Sequence, residues 1–207
     1  MKHIPQRTID RVLIYIRTLE HLIKEKRHLI SSGELSRITG ISDVQIRKDV
    51  SRFGRVGTPR IGYEIEELNR TFKDYLLQKD TVKVVLFGVG NLGTAILKYP
   101  GFSKNRINIV AAFEKNSAKI NKNINGVKVY SVDKAPRIIK RIKADLGIIA
   151  VPENASQEVA DIMVLSGLKG IVNFSPTSIS FPKNVTVKDI DFSLEFLSLL
   201  CNIQHRK

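Results

Sequence analysis

The chain has 207 residues, 43% of them hydrophobic and 26% charged, with 34 Lys and Arg against 20 Asp and Glu for a net charge of +14. That length suits one large domain or two small ones, and no apolar stretch approaches the roughly 20 residues of a membrane span. The opening MKHIPQRTID has no apolar signal region, so a cytoplasmic protein is expected, and a single cysteine, Cys201, excludes an internal disulfide and a Cys-rich metal cluster.

Residues 1–62 carry 13 basic against 6 acidic side chains, and residues 81–207 carry 18 against 9. A basic balance favours polyanions through counterion release, which makes nucleic acid a natural partner. From Pro5 to about Leu29, apolar Ile9, Val12, Leu13, Ile16, Leu19, Leu22 and Ile23 trace one face of a long helix. Ser31 and Glu34 form an S-x-x-E capping box, and Gly40 supplies the stop. Ser42 and Gln45 open another helix only two residues later, so the arrangement reads as helix-turn-helix. In DVQIRKDVSRFG, Ile46, Val50 and Phe53 form a narrow buried stripe. Gln45, Lys48 and Arg52 point away from it, with Ser42, Arg47 and Ser51 beside them. Outward Gln, Lys and Arg suit a major groove, because they match base edges and phosphates; the same pattern also suits a merely solvated face. The following GRVGTPRIGYEI reads as a β-hairpin wing carrying Arg55 and Arg60 toward phosphate backbone. Residues 63–80 are net negative, with Ile65, Leu68, Phe72, Tyr75 and Leu76 at helical spacing, and read as a helix connecting two domains. The boundary is placed near Asp80, giving domains 1–80 and 81–207.

VKVVLFGVGNLGTAIL, residues 82–97, is an apolar strand pattern running into Gly88, Gly90 and Gly93, spaced G-x-G-x-x-G, and then a helical pattern. Such a loop allows a tight turn, close approach of backbone to a pyrophosphate, and close packing of helix on strand. Val89, Asn91 and Leu92 complete it. Phosphates then sit on the free N–H groups of the helix start. Glu114 ends the next apolar run, INIVAAF, 21 positions past Gly93. It is placed to accept both ribose hydroxyls and to disfavour a 2′-phosphate, although Lys115 next door blunts that preference. Strand patterns VKVY, LGIIAV and GIVNF then alternate with helical ones, which argues for a parallel sheet covered on both faces. Ligand is expected at the carboxyl ends of its strands, near Tyr99, Val151, Pro152 and Asn173. The last pattern, DFSLEFLSLLCNI, opens with Asp191 as a cap and is apolar on most sides. A helix of that kind must be buried all round, which at this position suggests a second subunit. Cys201 is expected to be one of its small buried apolar side chains.

All four histidines, His3, His21, His28 and His205, lie outside residues 29–204, and only about 30 residues follow the last apolar strand pattern near Phe174. A hydride-transfer enzyme usually needs a general acid or base and a substrate domain, so no catalytic residue is assigned and the nucleotide reads as a signal. A small NAD-dependent oxidoreductase and a constitutive DNA binder with structural nucleotide remain the alternatives.

Several segments resemble the Rex family of redox-sensing transcriptional repressors, end to end. They are IPQRTIDRVLIYIRTLE, QIRKDVSRFG with GTPRIGY, FGVGNLGTAIL, KYPGF, AAFE, AVPENASQEVAD, GLKGIVNFSP and VKDIDFSLE. The resemblance implies a homodimer of winged-helix and Rossmann domains with exchanged C-terminal helices. It implies an operator that is palindromic double-stranded DNA, released by NADH, with NAD⁺ competing; from composition and hydropathy, no metal and no membrane partner are expected. Gly88, Gly90, Asn91, Leu92 and Gly93 match the family's pyrophosphate loop. Arg17, Tyr99 and Asp191 match a switch in which the tyrosine exchanges partners between subunits, and Phe192 matches an aromatic that reaches the partner's nicotinamide pocket. Glu114 and Asn116 stand in place of the aspartates of an F-D-x-D pattern, Arg52 in place of a tyrosine, and Ser175 and Thr177 in place of an alanine and an apolar residue.

Overall fold

A computed structural model describes residues 4–54, 56–58, 61–76 and 81–204. The chain forms two compact units, Met1–Lys79 and Asp80–Lys207.

In the first unit, α1 (Gln6–Lys24) buries Val12, Tyr15, Ile16, Leu19 and Leu22. It is shorter than its apolar pattern predicts. Lys26 takes a left-handed φ of 59°, and the chain then extends into β1 (Leu29–Ile30), which pairs antiparallel with β2 (Tyr63–Glu64). Between them lie α2 (Ser32–Thr39) and α3 (Asp43–Val50), with α3 running on into a 3₁₀ turn over Ser51–Phe53. Gly40, with φ of 73°, caps α2 in the left-handed region that favours glycine. Both capping boxes form by half. The Ser31 and Ser42 hydroxyls accept from the Glu34 and Gln45 N–H groups, but the two longer side chains go elsewhere, Glu34 to Arg27 and Gln45 to Asp49. The helix over residues 63–80, read as a connector, is instead a core element. In α4 (Ile65–Leu76), Ile65, Leu68 and Phe72 are fully buried in the same cluster as α1, and Phe53 packs edge-on against Phe72.

The second unit is a seven-stranded sheet. Its strands are β3 (Val82–Phe87), β4 (Ile107–Glu114), β5 (Asn123–Ile124), β6 (Val127–Ser131), β7 (Leu146–Ile149), β8 (Gly170–Asn173) and β9 (Thr186–Asp189). They lie in the order β5-β6-β4-β3-β7-β8-β9, and every pairing is parallel except β5 with β6. Renumbered, the six parallel strands run 3-2-1-4-5-6, the doubly wound order whose ligand crevice opens where the winding reverses. Here that point lies between the carboxyl ends of β3 and β7. The helices are α5 (Asn91–Lys98), a single turn α6 (Gly101–Lys104), α7 (Ala135–Ile142), α8 (Glu153–Leu165) and α9 (Phe192–Gln204). On β3, Val85 and Phe87 join one core with Ile139, Val159 and Met163, while Val84 and Leu86 join another with Ile96 and Leu97. Two buried faces explain why this strand is apolar without alternation. The sheet does not end near Phe174: β9 follows, short and polar (TVKD), and pairs in register with β8.

In α9, Phe192, Leu194, Phe196, Leu197, Leu199, Leu200 and Ile203 are all more than half exposed. Cys201 is exposed as well, contrary to the expectation of a buried thiol. Each large apolar side chain of that kind gains roughly 1.5–3 kcal/mol when fully covered, so a single chain leaves this helix without its packing partner. Among the described residues, no helix is long and apolar enough to cross a membrane.

Gly93 lies where α5 meets β3, and a Cβ there would stand 1.9 Å from the Gly88 carbonyl oxygen. Gly93→Ala is therefore expected to destabilise the second unit by about 1–3 kcal/mol, as overpacking does, visible as a lower thermal midpoint in calorimetry.

Candidate nucleotide cleft and nucleic-acid interface

The glycine loop sits at the carboxyl end of β3, at the point where the winding reverses. Gly88 needs its φ of 92°, and a Cβ on it would lie 2.3 Å from the Ala150 carbonyl oxygen beyond β7. The first intrahelical bond of α5 runs from Thr94 N–H to Gly90 oxygen, so the N–H groups of Asn91, Leu92 and Gly93 stand at the helix start without an intrahelical acceptor. A Cβ on Gly90 would meet nothing within 4 Å. Open space at Gly90, beside helix-start N–H groups that lack an intrahelical acceptor, is the shape a pyrophosphate requires. A cleft of about 390 Å³ continues from Gly88 past Glu114, Lys115, Asn116, Val151 and Pro152 to Val159.

The peptide of Val89 is held from both sides. Its N–H donates to Glu114 Oε2 at 2.8 Å, and its carbonyl accepts from Lys119 Nζ at 2.8 Å. Glu114 Oε1 also accepts the N–H groups of Lys115 and Asn116. Burial pushes the Glu114 carboxyl up, but these three N–H donors and the charge of Lys119 outweigh it and hold the group below its ordinary range. Three of its roughly four acceptor positions are thus taken. That leaves capacity for one ribose hydroxyl rather than the two expected from sequence. Lys119 was not singled out in the sequence; a lysine in a polar loop gives no signal of the carbonyl it will meet. Lys115 pairs with Glu158 at 2.8 Å in a bridge exposed on both sides, a weak contact.

Asn173 is fully buried and its amide is spent inside the protein. Its nitrogen donates to Asp189 and to the Thr177 carbonyl, and its oxygen accepts the Ser175 N–H. It shapes the loop after β8 and offers no free group to a ligand. Ser175, which departs from the family pattern, is accommodated by the buried Ser156 hydroxyl, 2.6 Å away at the start of α8. Phe192 is 62% exposed, with its ring 6.5 Å from that of Phe174. Asp191 accepts the hydroxyl and N–H of Ser193, capping α9. Tyr99 does not line the cleft of its own chain. It caps the far end of α5, about 12 Å from the loop at 1.5 Å per residue, where it is exposed and stacks edge-on against Phe102. Arg17 is exposed on α1 in the other unit.

In the first unit, Ser42, Arg47, Lys48, Ser51 and Arg52 are exposed on α3 and its 3₁₀ extension, and Gln45 is half-buried. Arg47 donates to Asp43 and to the Ser32 hydroxyl at the start of α2. Thr58 and Gly62 form an isolated antiparallel bridge, beside which Tyr63 and Glu64 pair with β1. Arg55 and Arg60 lie outside the described residues. Sequence reading missed Asp49, which is buried among Arg11, Tyr15 and Gln45. An acidic residue within a basic helix looks like one more solvated charge.

A helix-turn-helix unit with a small two-stranded sheet, in one chain with a doubly wound nucleotide-type sheet, defines a class of DNA-binding proteins that carry a ligand-binding unit. Residues 3–51 match the model of a putative DNA-binding protein N-terminus, and residues 79–177 match that of a CoA binding domain. Curated relatives named redox-sensing transcriptional repressor Rex include those of Desulforamulus reducens and Halalkalibacterium halodurans. Each is 38% identical, over 97% and 98% of this chain respectively and 95% of each relative. Among solved structures, RSP in complex with β-NAD⁺ and operator DNA is 32% identical with a TM-score of 0.88, covering 98% of this chain and 94% of that one. RSP in complex with β-NADH gives 0.87, covering 98% and 95%. The chain belongs to the Rex family of redox-sensing transcriptional repressors.

The grip of Glu114 has a defined pH dependence. A carboxylate whose native pKa is depressed contributes fully above the unfolded value of about 4.3 and is lost as pH falls through the lower native value. Protection of the Val89 amide in hydrogen exchange, corrected for intrinsic rate, is therefore expected to hold from neutral pH down through the ordinary carboxylate range and to be lost only at more acid pH, as Glu114 takes up a proton. Glu114→Gln should lower it already at neutral pH.

Proposed function

We propose that this protein is a transcriptional repressor that binds palindromic operator DNA as a homodimer in the cytoplasm, and that NADH releases it, so that it reads the NADH/NAD⁺ ratio. The observation that carries this reading is the near full-length match to RSP, solved both with β-NAD⁺ and operator DNA and with β-NADH. It is a regulator and not an enzyme, in keeping with the Rex repressors to which it is related.

In the proposed division of labour, residues 1–80 read DNA and residues 81–207 hold the dinucleotide and the partner subunit. Exposed Arg47, Lys48, Ser51 and Arg52 on and beside α3 supply the groove and phosphate contacts, with Arg55 and Arg60 following along the chain. Gly88 to Gly93 hold the pyrophosphate, Glu114 takes a ribose hydroxyl, and Val151 and Pro152 wall the cleft. Both redox forms share those contacts, so they cannot by themselves discriminate; only a differential affinity shifts an equilibrium. The proposed discriminator is Phe192, exposed on α9. A desolvated aromatic wall favours an uncharged dihydronicotinamide over the cationic oxidised ring, whose burial costs free energy. Tyr99 and Asp191 are assigned to the intersubunit switch with Arg17, which accounts for Tyr99 standing away from the cleft of its own chain.

Mobility shift on the promoter of its own gene, titrated with each coenzyme, tests the whole reading. NADH should dissolve the complex and NAD⁺ should not; a shift insensitive to NADH refutes redox sensing. Arg47→Ala is expected to weaken operator binding about tenfold with NADH affinity unchanged. Gly90→Val should do the converse, since open space at Gly90 lets the fold accept the side chain while the pyrophosphate position is filled.

A further inference from the structure

Among the described residues of the first unit Asp49 is the most deeply buried charge, at 0% exposure, and it sits on α3. Four donors converge on it. Arg11 Nε and Nη2 reach its two oxygens at 2.6 and 2.8 Å, Tyr15 Oη donates at 3.0 Å, and Gln45 Nε2 donates at 2.9 Å. Arg11 and Tyr15 are one turn apart on α1, and Gln45 and Asp49 are one turn apart on α3. Burial raises the carboxyl, but the hydrogen bonds from Arg11, Gln45 and Tyr15 and the Arg11 charge prevail and keep it ionised. An ion pair in a core contributes little stability that apolar packing could not supply, so its use points to geometry.

That geometry concerns Gln45. An ionised carboxylate has no proton to give, so the nitrogen of the Gln45 amide must face Asp49, and the amide cannot flip without losing the bond. One N–H is spent there; the carbonyl oxygen and the second N–H remain. An adjacent acceptor and donor are the pair that meets N6 and N7 of adenine in the major groove.

We infer that Asp49 is a positioning residue that fixes the Gln45 amide for reading an adenine, so that a buried contact away from the DNA sets a base preference. The inference rests on the operator-binding reading above. Arg11, with a bond to each oxygen, holds the carboxylate still, and Asp49 transmits that fixity from α1 to the reading side chain.

The test uses the full-length protein and an operator that it selects from random duplexes. Failure to select any sequence would refute operator binding itself. Given an operator, affinities are measured on a series with each base pair replaced singly. Wild type should prefer one A·T pair in each half-site by about tenfold or more. Gln45→Ala and Asp49→Asn should each lose that preference, and the double variant should lose no more than either alone. The slope of affinity against salt should not change, because phosphate contacts are untouched. Tyr15→Phe removes a different donor from the same carboxylate, so it should lower the thermal midpoint and leave base preference intact. The inference is overturned if Gln45→Ala keeps every preference, or if Asp49→Asn weakens all duplexes equally. Should Asp49→Asn fail to fold, the Gln45 side-chain amide protons in the free wild-type protein decide the matter by NMR. Dispersed, exchange-protected resonances support the fixed amide, and averaged, unprotected ones refute it.

Discussion

The peptide group of Val89, gripped at its N–H by Glu114 and at its carbonyl by Lys119, is the constraint on which the second unit's site depends. A glycine loop is permissive by nature, since Gly88 and Gly90 have many conformations available when unfolded. Two oppositely charged side chains from β4 and the loop after it restrict that freedom to one shape before any ligand arrives. The contact of Gly88 with the Ala150 carbonyl and of Gly93 with Gly88 closes the loop from the other sides. Preorganisation of this kind lowers the ordering cost of binding. It also limits what Glu114 can do: a carboxylate that already accepts three N–H groups supports the loop first and has one acceptor position left for a ligand.

The two units use buried charge in related ways. Glu114 fixes a backbone segment, and Asp49 ties α3 to α1 and holds one side chain of α3. In both, several donors converge on one carboxylate and overcome the desolvation that would otherwise neutralise it. Neither could be inferred from charge counts, which locate basic excess but not the acid that organises it.

Where the sequence was legible, a short-range rule decided the outcome. The glycine spacing, the left-handed cap at Gly40, the apolar strands of the parallel sheet and the over-apolar final helix all follow from local chemistry. Illegible features turned on which distant partner a side chain met. Glu34 was recruited by Arg27 and Gln45 by Asp49, so neither capping box closed. TVKD mixes strand-favouring Thr186 and Val187 with Lys188 and Asp189, which do not favour one, and it became a strand where β8 offered an open edge. The helix over residues 65–76 was amphipathic in plain view, yet whether such a helix links or packs is settled only by what covers its stripe. Asn173 stood at a strand end suited to ligand contact, and only the structure reveals that Asp189, Thr177 and Ser175 consume its amide.

The uncovered apolar faces of α9 tie the survival of the chain to its own abundance. A single chain presents Phe192, Phe196, Leu197 and Ile203 to water, and in the proposed homodimer mass action would link fold stability to concentration. For the proposed homodimer, dilution would then remove assembled pairs faster than in proportion to the number of chains.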